Sequence, residues 1–264
     1  MIARQRFSSL VCVLLLAPAA VLADATVTFD GGAQGWSGPG GPGGSTVIEP
    51  AGGNPGANMH TVFNNFGISF VNSTNPDFVF DYTTTPFVTL SIDIRVHSIE
   101  FFGSPVTRPW LVELRDFDNP PPGYPYVSVW YKFADISSAQ HGNWTTFQVT
   151  IDDTSAEDLP PGWGGTGAET PQAEPILPPN RTFASVLAGV DQIAYTTLEP
   201  GFVFGFTDFD MRLDNIGIQV AGPPVPAAST WGLAAMAGLL VLAGAALVRR
   251  RGAYRSDATT SRTP

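Results

Sequence analysis

The 264-residue chain has one cysteine, Cys12, and it lies inside an apolar stretch close to the N-terminus. With that stretch set aside no thiol is left, which excludes disulfides, thiolate metal sites and cysteine catalysis. Basic residues are nearly as scarce. Between Asp24 and Gly222 there are six, Arg95, Arg108, Arg115, Lys132, Arg181 and Arg212, against 22 acids, a formal charge of −16. That balance argues against nucleic acid as a partner, while it suits calcium, a hard cation that takes carboxylate and carbonyl oxygens. Hydrolytic motifs are missing as well: His60, His97 and His141 are isolated, and neither an HExxH helix nor a serine elbow occurs. Between the two ends, no long stretch keeps apolar residues at helical spacing.

The ends are where long apolar runs do occur. Arg4 and Arg6 precede Leu10 to Leu16, and Ala-Pro-Ala-Ala-Val-Leu-Ala then leads to Asp24. This is the pattern of a secretory signal peptide, so residues 1–23 are expected to be cleaved after Ala23. At the other end, Trp231 to Val248 is 18 residues without a charge, about 27 Å as a helix and enough for a hydrocarbon core. It has no polar stripe, which favours a transmembrane helix over one docked on the domain. Arg249, Arg250 and Arg251 follow as a stop on the cytoplasmic side, with 252–264 as a short tail.

Val225-Pro226, Ser229 and Trp231-Gly232, then the apolar run and Arg249 to Arg251, resemble the tripartite sorting tails of the bacterial PEP-CTERM type. The nearer variant reads roughly Ile-Pro-Thr-Leu-Ser-x-Trp-Gly. The resemblance implies recognition of 223–251 by an exosortase-like membrane protease. It also implies export to the envelope or extracellular matrix of a bacterium, with the protein either membrane-anchored or processed and released. Ala227-Ala228 replace the usual pair of that variant, and thirteen residues follow the arginines, where such tails usually stop.

Residues 24–222 are expected to form one all-β domain, an antiparallel jelly-roll β-sandwich. Period-two alternation dominates: Val88, Leu90, Ile92, Ile94 and Val96 share a face, and the pattern recurs over 127–133 and 144–151. Shorter strands are expected at 26–29, 68–71, 78–82, 111–115, 192–196, 202–206 and 209–213, with a helical turn only in 183–190. Gly38 to Gly44, Asn119 to Pro125 and the long acidic and glycine-rich stretch from Asp152 to Pro179 are loops by composition. Gly162 to Gly167 matches the spacing of a dinucleotide-binding turn, but no strand precedes it and no helix follows, so it is not one.

The segment from Phe209 to Val220 contains a break in parity. Phe209, Met211 and Leu213 alternate inward, and Ile216, Ile218 and Val220 continue with the opposite parity. A β-bulge at Asp214-Asn215 absorbs the extra residue, re-aims side chains and frees a carbonyl, which makes a place for a calcium ligand. This segment and Thr26 to Trp36 resemble the closing and opening strands of carbohydrate-binding modules with the galactose-binding-like jelly roll. The matching residues are Phe29-Asp30, Gly35-Trp36 and Leu213-Asp214-Asn215-Ile216. That resemblance implies a structural Ca2+ held by Asp30, Asp214 and Asn215, and carbohydrate binding. The other reading of Asp30 and Asp214 is turn chemistry.

Trp130 points away from the apolar face of its strand and is a candidate platform for a sugar ring, unless a loop covers it. Trp163, in the long loop, is a second, whereas Trp36, Trp110 and Trp144 are packing residues. Taken together, these features indicate a non-catalytic envelope protein that binds surface polysaccharide. The alternatives are a glycan-degrading enzyme with an acidic pair, drawn from acids such as Asp116 and Asp118 or Asp152 and Asp153, and a purely structural adhesion protein.

Overall fold

The computed structural model describes residues 24–220. The signal peptide, the apolar run and the sorting residues Ala23, Pro226, Ser229, Trp231, Gly232, Arg249, Arg250 and Arg251 lie outside the described residues. Among the described residues no helix is long and apolar enough to cross a membrane.

Fifteen strands follow one another: β1 (Ala25–Val27), β2 (Trp36–Ser37), β3 (Gly44–Glu49), β4 (Asn58–Asn65), β5 (Ser69–Asn72), β6 (Val88–Phe101), β7 (Ser104–Pro105), β8 (Arg108–Asp116), β9 (Val127–Ile136), β10 (Thr145–Ile151), β11 (Trp163–Thr166), β12 (Ala168–Glu169), β13 (Pro175–Ile176), β14 (Gln192–Thr196) and β15 (Thr207–Val220). Two short helices, α1 (Ser138–His141) and α2 (Phe183–Leu187), lie in the connections. Sheet one runs β10-β6-β15-β4-β3, with β1 on β15 and β7 on β6; sheet two runs β11-β9-β8-β14-β5-β2; β12 and β13 pair separately. Every pairing is antiparallel, so the domain is a two-sheet antiparallel β-sandwich.

The alternation of apolar residues builds the core. Leu90, Ile92, Ile94 and Val96 on β6 and Phe209, Met211 and Leu213 on β15 are buried, as are Val112 and Leu114 on β8 and Ile193 on β14. Between the sheets stand large rings: Tyr195 stacks on Trp110 at 6.1 Å and on Phe133 at 6.3 Å, and Trp36 meets Phe78 edge-on at 5.5 Å. Trp36 and Trp110 are thus packing residues, and Trp144 is half-buried.

The parity break in β15 is a register shift between Asp214 and Gly217 on the β6 ladder, with Asn215 at φ 47°. At the same point β15 changes its other neighbour, pairing with β4 through Leu213 and with β1 from Ile216 onward. The bulge therefore seats one strand against two partners.

Two expected strands are absent. Residues 78–82 form turns leading into a 3-10 turn over Tyr82–Thr84, capped by Asp81. Residues 202–206 are an irregular segment before β15, because alternate phenylalanines there have no facing sheet to cover them. The long loop is also shorter than expected. Trp163 to Thr166 adds to the edge of sheet two as β11, since its glycines let it lie against β9.

Candidate functional site

The outward face of sheet two carries a network of polar side chains. Leu111, Glu113 and Arg115 on β8 alternate outward, opposite Lys132, Trp130 and Ser128 on β9. The Arg115 guanidinium donates twice to Glu113 Oε2, at 2.6 and 2.8 Å, and once to Gln192 Oε1 at 2.6 Å. Ser128 donates to Glu113 Oε1 at 2.6 Å, and its hydroxyl also lies 2.6 Å from that of Thr166 on β11. Glu113 is buried, and its charge is held by two Arg115 N–H groups on one oxygen and a hydroxyl on the other, as a buried carboxylate requires.

Two loops turn this face into a groove. The β8–β9 connection brings Tyr124 and Tyr126, and the β14–β15 connection brings Leu198 to Phe202 over the opposite side, enclosing about 280 Å³. The Tyr126 ring lies under the Arg115 guanidinium, 4.7 Å from centroid to carbon. Burial first, and then the charge of Glu113, hold the Tyr126 hydroxyl above its usual range. Lys132 reaches Glu199 at 3.1 Å and Asp135 at 2.9 Å. Burial works against its charge, yet the bonds to those carboxylates outweigh it and raise its pKa. The groove therefore offers aromatic faces beside fixed donors and acceptors, the combination that recognises a ring bearing hydroxyls.

Trp130 stands on this outward face, opposite Glu113 on one side and Gly164 on the other. It is half-buried, its ring lies over Gly164 so closely that a Cβ there would overlap it, and its indole N–H has no partner. Trp163 is placed differently from the sequence expectation of an exposed platform. Because β11 alternates, its side chain turns inward, 9% exposed, against Tyr131 at 5.6 Å and Phe183 at 5.2 Å. There it forms one wall of an open-edge cleft of about 820 Å³ between β10 and β11. The cleft carries Asp152, Asp153 and Asp158. Asp153 accepts from the Ser155 hydroxyl and backbone at 2.6 and 2.9 Å, and these bonds hold its pKa below the usual value. A general acid needs the opposite shift.

The expected metal ligands Asp30 and Asp214 each bond to the loop between β3 and β4. Asp30 Oδ1 accepts from Ala57 N at 2.9 Å, and Asp214 Oδ2 accepts from Asn54 N at 2.5 Å. The loop passes so close that a Cβ on Gly53 would sit 2.6 Å from Asp214 Oδ2, and one on Gly56 2.7 Å from Asp30 Oδ1. Asn215 departs from the expectation. Its side-chain amide donates to Asn54 O at 2.6 Å and to Asp93 Oδ2 at 2.8 Å, so hydrogens face the cluster where a cation needs oxygen. The third carboxylate is Asp93, across the β6 ladder from Asp214, which also accepts from Asn54 Nδ2 and Thr146. From sequence Asp93 was simply one of the polar residues on β6. Burial foremost, with Asp93 and Asp30 adding their charge, raises the Asp214 pKa against the bonds from Asn54 and Asn215. Each of these carboxylate oxygens accepts from an N–H or hydroxyl, and the three acids do not bring their ligand atoms within 4.8 Å of one another.

A second acidic set, Asp116, Asp118 and Asp191, has ligand atoms within 4.8 Å of one another and can hold a metal ion. Asp116 is already paired with Arg181, and Asp191 accepts from Phe117 N at 2.8 Å.

No protein family and no curated protein matches the sequence. Among solved structures, the chain is similar to the family 11 carbohydrate-binding module from Clostridium thermocellum in complex with a β-1,3-1,4-mixed-linked tetrasaccharide. The identity is 13%, the TM-score 0.45, and the match covers 77% of this chain and 98% of that one. It is similar to a xylan-binding domain of carbohydrate-binding module family 22 at 12% identity and TM-score 0.40, over 79% of this chain and 100% of that one. It is also similar to an exo-β-agarase at 14% identity and TM-score 0.43, over 75% of this chain and 25% of that one.

Proposed function

We propose that the domain is a non-catalytic carbohydrate-binding module and that it takes a polysaccharide in the groove on the outward face of sheet two. The observation that carries this reading is the juxtaposition of the buried Glu113–Arg115 pair with the Tyr126 ring at one lip of the groove. Rings stack on the C–H faces of a sugar, and the fixed ion pair offers an acceptor and a donor to neighbouring hydroxyls. Trp130, beside Glu113, extends the platform along the sheet. A glycan array followed by titration calorimetry on residues 24–222 tests this, with a parallel hydrolysis assay. Tyr126→Ala is expected to lower affinity roughly tenfold, the loss of about 1.4 kcal/mol, without product appearing in the hydrolysis assay. Unchanged affinity would remove the groove from the account, and product release would favour the enzyme.

Calcium belongs to the same proposal as a structural ion. Asp30 and Asp214, with Asp93, would hold it beside the Gly53–Gly56 turn by drawing together carboxylates that stand further apart in this structure, and it would tie the first and last strands together. Export and handling by an exosortase-like protease complete the proposal. Their support is the order of features in the sequence, Pro226, Ser229, Trp231-Gly232, an apolar run and Arg249 to Arg251.

A further inference from the structure

One pole of the sandwich is capped by exposed apolar side chains, of which only Leu198 and Phe202 also border the groove. Val203 is 90% exposed, Phe102 88% and Phe202 65%, and Phe66, Leu198 and Phe206 are exposed beside them. They form one patch. Phe66 meets Phe206 at 4.1 Å, Phe101 meets Phe102 at 4.6 Å, and Gly205 packs under Phe101 so closely that a Cβ would overlap it. At roughly 200 Å² for a whole phenylalanine, these exposures leave on the order of 700 Å² of apolar surface, above the ~300–600 Å² of the largest patch on a typical monomer.

Phe102 adds an independent sign. It sits at φ 50° in the turn between β6 and β7, a left-handed conformation that Asn, Asp or Gly adopts at less cost. A nearly fully exposed phenylalanine held there does not serve the fold.

The position of the patch narrows its occupant. It lies at the Thr207 end of β15, whereas Val220 N donates to Asp24 Oδ1 at 3.0 Å, so both ends of the described chain leave from the opposite pole. An anionic membrane is disfavoured because each of the six basic side chains among the described residues is already engaged, by a backbone carbonyl or hydroxyl for Arg95 and Arg108 and by a carboxylate for the other four. Glycans need polar partners, and the cap has none of the groove's network.

We propose that the cap is the interface of a head-to-head dimer of this chain. Its area is close to the ~800 Å² that each partner contributes to an interface of standard size, and aromatic residues are what such interfaces concentrate. A two-fold axis through the cap points the chain ends of the two copies in opposite directions. It also brings the two grooves near each other, because Leu198 and Phe202 border both groove and cap. Acids at the rim, Glu100 and Asp208 among them, repel across the axis, so salt tightens the dimer.

Sedimentation velocity on residues 24–222, a fragment that contains the whole core, tests this from 1 to 200 µM protein in low and high sodium chloride. The expected result is a concentration-dependent dimer, tighter in salt. The pair Phe102→Asn and Val203→Asp is expected to weaken it roughly 100-fold, with an unchanged or higher melting temperature because Asn suits the left-handed turn. In a chain without other cysteines after residue 23, Val203→Cys is expected to yield a disulfide-linked dimer on oxidation. A monomer at every concentration, or a dimer indifferent to the pair, overturns the proposal. So does flotation of the wild-type monomer with phosphatidylcholine vesicles that the pair abolishes, which would assign the cap to lipid.

Discussion

Calcium is expected to stabilise the folded domain by an amount that mass action sets. Asp30, Asp93 and Asp214 each bond to the β3–β4 loop, and the hydrogen bonds they receive come from neutral donors: Asn54, Ala57 and Asn215, with Thr28 and Thr146. An ion that binds only the folded state stabilises by RT ln(1 + [L]/Kd), about 2.7 kcal/mol at a hundredfold excess over Kd. For a domain of roughly 200 residues, ~1 kcal/mol moves the midpoint by ~2–4 °C, so calcium is expected to raise Tm by about 5–10 °C over chelator. The pH response has a definite sign. The Asp214 pKa is raised in the folded state, so the folded protein holds that proton more tightly than the unfolded chain does. This contribution is full at low pH and lost as pH rises through the raised pKa. In chelator, acidification from pH 7 should therefore help wild type more than Asp214→Asn, and saturating calcium should shrink the difference, since proton and ion compete for one carboxylate. Differential scanning calorimetry of residues 24–222 and of Asp214→Asn, with and without calcium, measures each quantity. Identical melting of the wild type in calcium and chelator would refute the reasoning and leave the aspartates as turn formers held by Asn54 and Asn215.

Three other outcomes are expected. Glu113→Ala leaves the largely buried Arg115 guanidinium without its carboxylate, and urea denaturation should show a loss of about 3–5 kcal/mol. Glu49 has its pKa lowered by hydrogen bonds from Arg212 and then His60; the stability it adds is present above its unfolded pKa and lost as pH falls through the depressed value. The acid limb of a stability–pH profile should accordingly flatten in Glu49→Gln. In a host that carries an exosortase, replacing Trp231-Gly232 with Ala-Ala should change the size or location of the exported protein, which blotting of cell fractions would show; no change would count against processing at that site.

Period-two alternation revealed the central strands because the sandwich buries one face of each: β6, β9 and β14 follow directly from it. Even the bulge in β15 was legible, since a one-residue parity change cannot be hidden in a strand with a buried face. β3 and β4 were harder to see. In Asn58–Asn65 the apolar Met59 and Phe63 flank a buried Thr61, so a polar residue interrupts the pattern. Trp163 reads as a loop residue because glycines stand on both sides of it, while the fold uses Gly164 and Gly165 to bring an edge strand against β9. The groove was mostly invisible. Glu113, Arg115 and Tyr126 are ordinary letters until strand pairing and one loop bring them together. Only the outward parity of Trp130 pointed to that face.

Polysaccharide binding on the outward face of sheet two is open to a direct measurement: backbone amide NMR of residues 24–222, titrated with the glycan that an array selects. The expected perturbations cluster at Glu113, Arg115, Tyr126, Trp130 and Thr166, with the cleft between β10 and β11 unaffected. Perturbations centred instead on Asp152, Asp153 and Trp163, or no saturable shift with any glycan, would contradict it.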